Sequence, residues 1–340
     1  MKQTRSALYT SIVVFTLSML AACSGGGSTA NISPEPDNIV SSAFSGSDQN
    51  STSQPAIATP LYALVTPEAD PVSPALADAA VVAPAAANPY VVQTYSPAQI
   101  RTAYQMPAIP SGNPSTWTAA QAAALGAGQT VYILAAYDDP QIALELQKFN
   151  EQFGLPACTA LQISPSATLP LAAASGNACQ FAKVYLDSKG AMTSTAPAYN
   201  SAWATEIALD VQWAHATAPL ARIILIEAPS ASVNDMANAV RMANQLGPGV
   251  VSMSFGSNED STDPQLNNIF DKPNMSYVAA SGDSAKAPPQ WPAISPYVLG
   301  VGGTSLQAYT TAGARTESVW ANTGAGVSAY ESRPGYQTNQ

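Results

Sequence analysis

The sequence predicts an α/β fold in which a parallel sheet is flanked by helices, and three features carry that expectation. Residues 129–137 (QTVYILAAY) are almost continuously apolar over strand length, which suits a strand covered on both faces. Residues 201–228 read as an amphipathic helix, a proline stop at Pro219 and then a buried strand. After that the chain alternates strand, helix and strand, a rhythm that implies right-handed crossovers and parallel pairing. Such sheets bind ligands beyond the carboxyl ends of their strands.

Taken in order, the first 22 residues are an address rather than a fold. Lys2 and Arg5 precede the apolar run 7–20, too short for a spanning helix, and Ala21-Ala22-Cys23 and a glycine-rich stretch follow. This resembles a bacterial lipoprotein signal, so Cys23 is the expected lipidation site and membrane anchor. An ordinary secretory signal is the competing reading. The expected address is therefore the cell envelope, outer membrane or cell surface of a bacterium. Residues 23–90 are rich in Ser, Ala, Pro and Gly and read as a low-complexity tether. The folded domain is expected over 91–340.

Within that domain, Ser96 and Pro97 make a helix start. Asp138-Asp139-Pro140 caps a helix to about Phe153, which Gly154 ends. Ser232 and Asp235 open a helix that stops at Gly247-Pro248. Strands are expected at 250–255, 276–280 and 296–301, with a short helix at 264–271. Cys158 and Cys179 are the two cysteines left once Cys23 is lipidated, and an oxidising compartment favours their disulfide. Two thiols with no histidine close in sequence make zinc an unattractive reading of the same pair.

The chain carries 12 basic and 22 acidic side chains, a net charge of −10. That balance argues against nucleic acid, which requires a basic stripe, and suits an exported protein. The one histidine, His215, limits the chemistry further, because any imidazole-based nucleophilic mechanism would have to use it. It is badly placed. On a helical wheel it points about 180° from Glu206 and about 140° from Asp210. Near the helix end it is expected to meet the last carbonyls instead.

Glu206 and Asp210 are the better candidates. They are four residues apart, so both carboxyls project from one face about 40° apart, with no Lys or Arg within a turn. The wheel places Trp203 at about 60° and Trp213 at about 340° from Glu206, which sets the pair between two indoles. Acids crowded in apolar surroundings have their pKa values pushed apart, as general acid–base chemistry needs. A solvated face that happens to hold two acids is the bland alternative. Asp283, in the loop 281–284 at an expected strand end beside Gly282, is a third candidate.

In this order the motifs resemble the sedolisin family, the serine-carboxyl peptidases with a subtilisin-like fold. The similarity spans about 95–337. It rests on the start 95–101 (YSPAQIR), on 136–140, on Glu206-x-x-x-Asp210 and on 251–256 (VSMSFG). Ser281-Gly282-Asp283, Trp291-Pro292-Ala293, Val301-Gly302-Gly303-Thr304 and Ser328-Ala329-Tyr330-Glu331 complete the set. The resemblance implies an endopeptidase working at acid pH on polypeptides. Glu206 would be the general base, Asp210 would orient it, and Asp283 would donate to the oxyanion. Ala135 stands near the strand end where a subtilisin-type enzyme would want an Asp.

The family's serine lies in Gly-Thr-Ser-x-x-x-Pro. Here Gly303-Thr304-Ser305 is followed by Tyr309 where proline is required, so Ser305 reads as a turn residue. The resemblance therefore implies a domain incomplete at its C-terminus, with the nucleophile and the calcium ligands beyond residue 340 and no cofactor assignable here. A non-catalytic surface lipoprotein that binds peptides is the alternative. A glycosidase is weaker, because two acids on adjacent turns do not flank a sugar.

Overall fold

The computed structural model describes residues 79–82, 90–93, 95–285 and 288–337. The signal segment, Cys23 and most of the expected tether lie outside the described residues. Strand β1 (Ala79–Val82) pairs antiparallel with β2 (Tyr90–Gln93) in a ribbon around the boundary set between tether and domain.

Ser96 then caps α1 (Pro97–Ala103), and Gln99 returns to the Ser96 N–H, so two otherwise orphaned donors are satisfied reciprocally. Helix α2 (Ala119–Ala124) has the same box between Thr118 and Gln121. Strand β3 (Thr130–Ala136) follows, buried at every position. Asp139 accepts the Gln141 N–H at the start of α3 (Ile142–Phe153), and Gly154 ends it in the left-handed conformation.

Next come β4 (Cys158–Ala160), β5 (Cys179–Leu186) and β6 (Met192–Thr193). Helix α4 (Ser201–Thr217) is capped by Asn200 and leads into β7 (Arg222–Ala228). Ser232 caps α5 (Val233–Leu246), but the Asp235 carboxylate accepts from the Ser230 hydroxyl, so only half of the expected box forms. Strands β8 (Gly249–Met253), β9 (Ser257–Asn258), β10 (Met275–Ala280), β11 (Gln290–Trp291) and β12 (Leu299–Val301) succeed one another. A hairpin of β13 (Thr304–Tyr309) and β14 (Arg315–Val319) comes last.

The central sheet runs β12-β10-β8-β3-β7-β5-β4, with every neighbouring pair parallel and β6 added antiparallel to β5. The chain leaves the centre at β3, returns through β5 and β7, and then builds the other half through β8. Helices α1 and α3 pack with α4, which lies over β3 and β7. Helix α5 packs over the same two strands, and both strands are wholly buried, so the sheet is covered on both faces.

Three local expectations change. The segment at 264–271 is a 3-10 helix, Asp263–Ile269. Pro296 lies in a turn before β12, since proline cannot donate to a ladder. Ser305 is a strand residue of β13 opposite Ser318, neither a turn residue nor a helix start. Among the described residues no helix is long and apolar enough to cross a membrane.

Candidate active site

Glu206 and Asp210 occupy successive turns of α4, and the carboxyl ends of β8 and β10 bring two further groups to them. Ser254, the first residue after β8, donates its hydroxyl to Asp210 Oδ1 at 2.8 Å. It is also near enough to the Glu206 carboxyl to oppose the rise in its pKa, and Asp283 is close enough for its charge to act on Glu206. The structure thus gathers the three acids named from sequence at one end of the sheet. Ser254 is the member that sequence reasoning passed over. It stands inside a quoted motif, and its position one residue past a strand end was the available signal.

Burial is the main cause of each acid's shift. It raises the Glu206 pKa well above the ordinary range, reinforced by the charges of Asp210 and then Asp283, with the Ser254 hydrogen bond opposing. It raises Asp210 to about 7, again against the Ser254 bond, and it raises Asp283. Among the described residues, no cation is one of the charges acting on any of the three. One serine hydroxyl has one proton to give, and that proton goes to Asp210. Turned toward Glu206 the same hydroxyl would stabilise the carboxylate there, so it can serve either acid but not both at once.

Backbone geometry fixes the third acid. Gly282 has φ +103, and a Cβ there would come 2.6 Å from Gln290 Oε1, so only glycine fits. Its carbonyl accepts the Gly324 N–H at 2.6 Å, and Ser281 is held by Val301 and by the Gly324 carbonyl. Asp283 therefore projects from a loop tied down on both sides.

The two indoles go elsewhere than the helical wheel suggests. Trp203 is buried in the main core against Tyr137, with ring centroids 6.5 Å apart. Trp213 joins Phe149, Phe153 and Leu155 in a separate cluster. Strand-end loops, rather than an indole sandwich, surround the pair. His215 also departs from expectation. It is fully buried, its Nε2 lies 2.8 Å from the Pro156 carbonyl rather than bonding its own helix's last turn, and burial lowers its pKa to about 4.

A second group of charges lies at the neighbouring strand ends. Lys183 on β5 pairs with Asp138 and with Glu227 Oε2 (3.2 Å), and donates to the Asp139 carbonyl at 2.8 Å. Glu227 is wholly buried, and its Oε1 accepts the Asp139 N–H at 3.1 Å. Burial raises the Glu227 pKa, with the Lys183 ammonium opposing.

Comparison with known proteins places these groups in context. Residues 191–334 match the subtilase family. Kumamolisin from Bacillus sp. (strain MN-32) is 33% identical over 156 residues, which are 39% of this chain and 28% of the relative. A solved structure of Pseudomonas sedolisin, a serine-carboxyl proteinase complexed with two molecules of pseudo-iodotyrostatin, is 21% identical with a TM-score of 0.49. That superposition covers 72% of this chain and 65% of the other. The chain therefore spans less than two thirds of the length of either protein.

Proposed function

We propose that this chain, a member of the sedolisin family of serine-carboxyl peptidases among the subtilases, carries the acid–base and oxyanion groups of a peptide-bond-hydrolysing centre. The observation that carries this reading is the meeting of Glu206, Asp210 and Asp283 beside Ser254, with no cation among the described residues whose charges act on Glu206. Buried acids without a counter-charge hold protons, and protons are what the chemistry moves. When the pair's shared proton rests on Asp210, Glu206 is a carboxylate and accepts the proton of an attacking serine hydroxyl as that oxygen bonds the peptide carbonyl carbon, and later delivers it to the leaving amine. Asp210, one turn along α4, orients Glu206 and shares the pair's proton, its charge raising the Glu206 pKa. Asp283, protonated, donates to the oxygen that becomes negative in the tetrahedral intermediate. The working range is acidic, because Asp283 must keep its proton.

The attacking serine is not assigned. Ser305 is a strand residue in a two-stranded hairpin that is not paired with the central sheet, and among the described residues no hydrogen bond joins its side chain to the acids. Calcium does not fit the described residues. Their one group of three possible metal ligands is Cys158, Cys179 and His215, a sulfur and nitrogen set, whereas calcium takes oxygen. No step runs through a metal. Lipid anchoring at Cys23 and an envelope location remain part of the same proposal, resting on the N-terminal motif alone.

The experiment is an assay of a denatured protein at acid pH with the 340-residue chain and its Glu206→Gln variant. We expect saturable peptide binding and no cleavage by this chain, and cleavage once a segment carrying Gly-Thr-Ser-x-x-x-Pro is joined to it. That cleavage is lost in Glu206→Gln and in Asp283→Ala, which has no group to donate to the oxyanion. Cleavage that survives both substitutions overturns the assigned roles, and absence of peptide binding removes the peptide-binding alternative as well.

A further inference from the structure

At the last turn of α4, five residues beyond Asp210 and on a different face, three ligand atoms converge. Cys158 and Cys179 are directly opposite each other on the parallel strands β4 and β5, with Cα atoms 4.5 Å apart, and are joined as a disulfide. His215 approaches from the last turn of α4 and places Nδ1 3.3 Å from Cys158 Sγ. The expectation of no histidine near the cysteines is thereby overturned, because contact is made across 57 residues of sequence.

The imidazole is prepared as metal-binding histidines are. Nε2 faces the Pro156 carbonyl, which can only accept, so the proton sits on Nε2. Nδ1 then presents its lone pair to the sulfur. A backbone carbonyl holding the far N–H is the usual outer-shell partner of a ligating histidine. Burial keeps the ring neutral, since its pKa falls to about 4.

We propose that Cys158, Cys179 and His215 form a binding site for Zn(II) whenever the two cysteines are thiols. The ligand atoms all lie within 4.8 Å of one another. Tetrahedral zinc, with bonds of about 2.3 Å to sulfur and about 2.0 Å to nitrogen, needs them about 3.5–3.8 Å apart. Rotation of the cysteine side chains closes that difference without moving α4. Charge favours zinc over a monovalent soft cation, because Zn(II) with two thiolates is neutral and the site is buried. Cys158 is only partly buried, which leaves a side open to a water as fourth ligand.

The balance is simple. Two thiols lose two protons to solvent and bind one Zn(II), with no change of oxidation state. Disulfide formation instead removes two protons and two electrons to an external disulfide, and leaves no thiolate for the metal. A newly made chain carries both cysteines as thiols, so no reductant is needed for the metal form. The disulfide fastens the two strands to each other, whereas zinc would fasten the same strand pair to the C-terminal end of α4 as well. This proposal is independent of the reading of the acid cluster.

The test uses the full 340-residue chain kept reduced with a phosphine and titrated with Co(II) as a visible stand-in for zinc. One equivalent should give thiolate-to-cobalt charge-transfer bands that Zn(II) abolishes. The bands should persist in Cys23→Ser and vanish in Cys158→Ser and in the oxidised chain. His215→Asn should weaken binding at least about tenfold. X-ray absorption of the wild-type complex, expected to show two sulfurs and one imidazole, decides the matter if His215→Asn does not fold. A reduced wild type without thiolate bands, an affinity unchanged in folded His215→Asn, or a shell without imidazole overturns the proposal.

Discussion

Two carboxylate clusters sit at the same end of the same sheet and solve the problem of buried charge in opposite ways. Beyond β3, β5 and β7, Asp138 and Glu227 surround the ammonium of Lys183, whose pKa is raised by those carboxylates against its own desolvation. Beyond β8 and β10, Glu206, Asp210 and Asp283 have, among the described residues, one another and a serine but no cation acting on them. A buried ion pair is costly to form and costlier to break, which suits a fixed structural joint. A cluster without a counter-ion lowers its energy by holding protons, which leaves it ready to exchange them. The presence of one lysine thus separates a joint from a reactive site.

Removing that lysine is the strongest way to break the contrast. Lys183→Met leaves wholly buried Glu227 without its cation, and breaking a buried pair of this kind costs about 3–5 kcal/mol. Urea unfolding at pH 7 should show that loss. It should shrink at pH 4, where Glu227, its pKa already raised by burial, carries a proton. Adding Glu227→Gln should recover part of the loss. A change below about 1 kcal/mol at pH 7 would place Lys183 among exposed pairs and erase the distinction.

The acid cluster predicts the reverse of ordinary acid denaturation. Asp210 has a folded pKa of about 7 against 3.8 as a free side chain, so the native state binds more protons than the unfolded chain between those values. Its contribution is full below 3.8 and is lost as pH rises through about 7. Titrating alone it would amount to about 4 kcal/mol, with Glu206 adding in the same direction. His215 opposes this, because its folded pKa near 4 lies below 6.5 and its contribution is lost as pH falls between them. Two raised acids outweigh one lowered imidazole, so the melting temperature should climb as pH drops from 7.5 to 5. Asp210→Asn should flatten that slope. A wild-type melting temperature that falls over this range would show the acids to be charged in the folded state.

Much of this was legible in the sequence because it is local or periodic. The apolar run of β3, the caps at Ser96 and Ser232 and the helix–proline–strand order of 201–228 each depend on neighbours within a few residues. Asp283 was placed by a topological rule rather than by spacing, since strand ends of a parallel sheet converge. The indoles were misplaced because a wheel gives direction but not distance along the axis. Trp213 lies seven residues, about 10 Å, beyond Glu206 and meets α3. The contact of His215 with Cys158 depends on where the edge strand β4 passes the end of α4, which no local pattern records. Lys183 and Glu227 did leave a trace, each a charge inside an apolar strand, and such charges demand partners.

The finest distinction concerns Ser254, whose hydroxyl can serve either acid of α4. Its hydroxyl donates to Asp210 and opposes the upward shifts of both Asp210 and Glu206. Ser254→Ala removes that bond and leaves the backbone of β8 intact, so the expected loss of stability is about 1 kcal/mol at pH 7. The pKa values of both acids should rise, and carbonyl-detected NMR of labelled Asp and Glu side chains reads this directly. A merely structural serine would give the same loss without moving either titration. A shift confined to Asp210 would show that Glu206 does not share the hydroxyl. Movement of both curves together would instead show one hydroxyl serving acids on two turns of α4, while the Lys183 cluster, untouched, holds its charges in place.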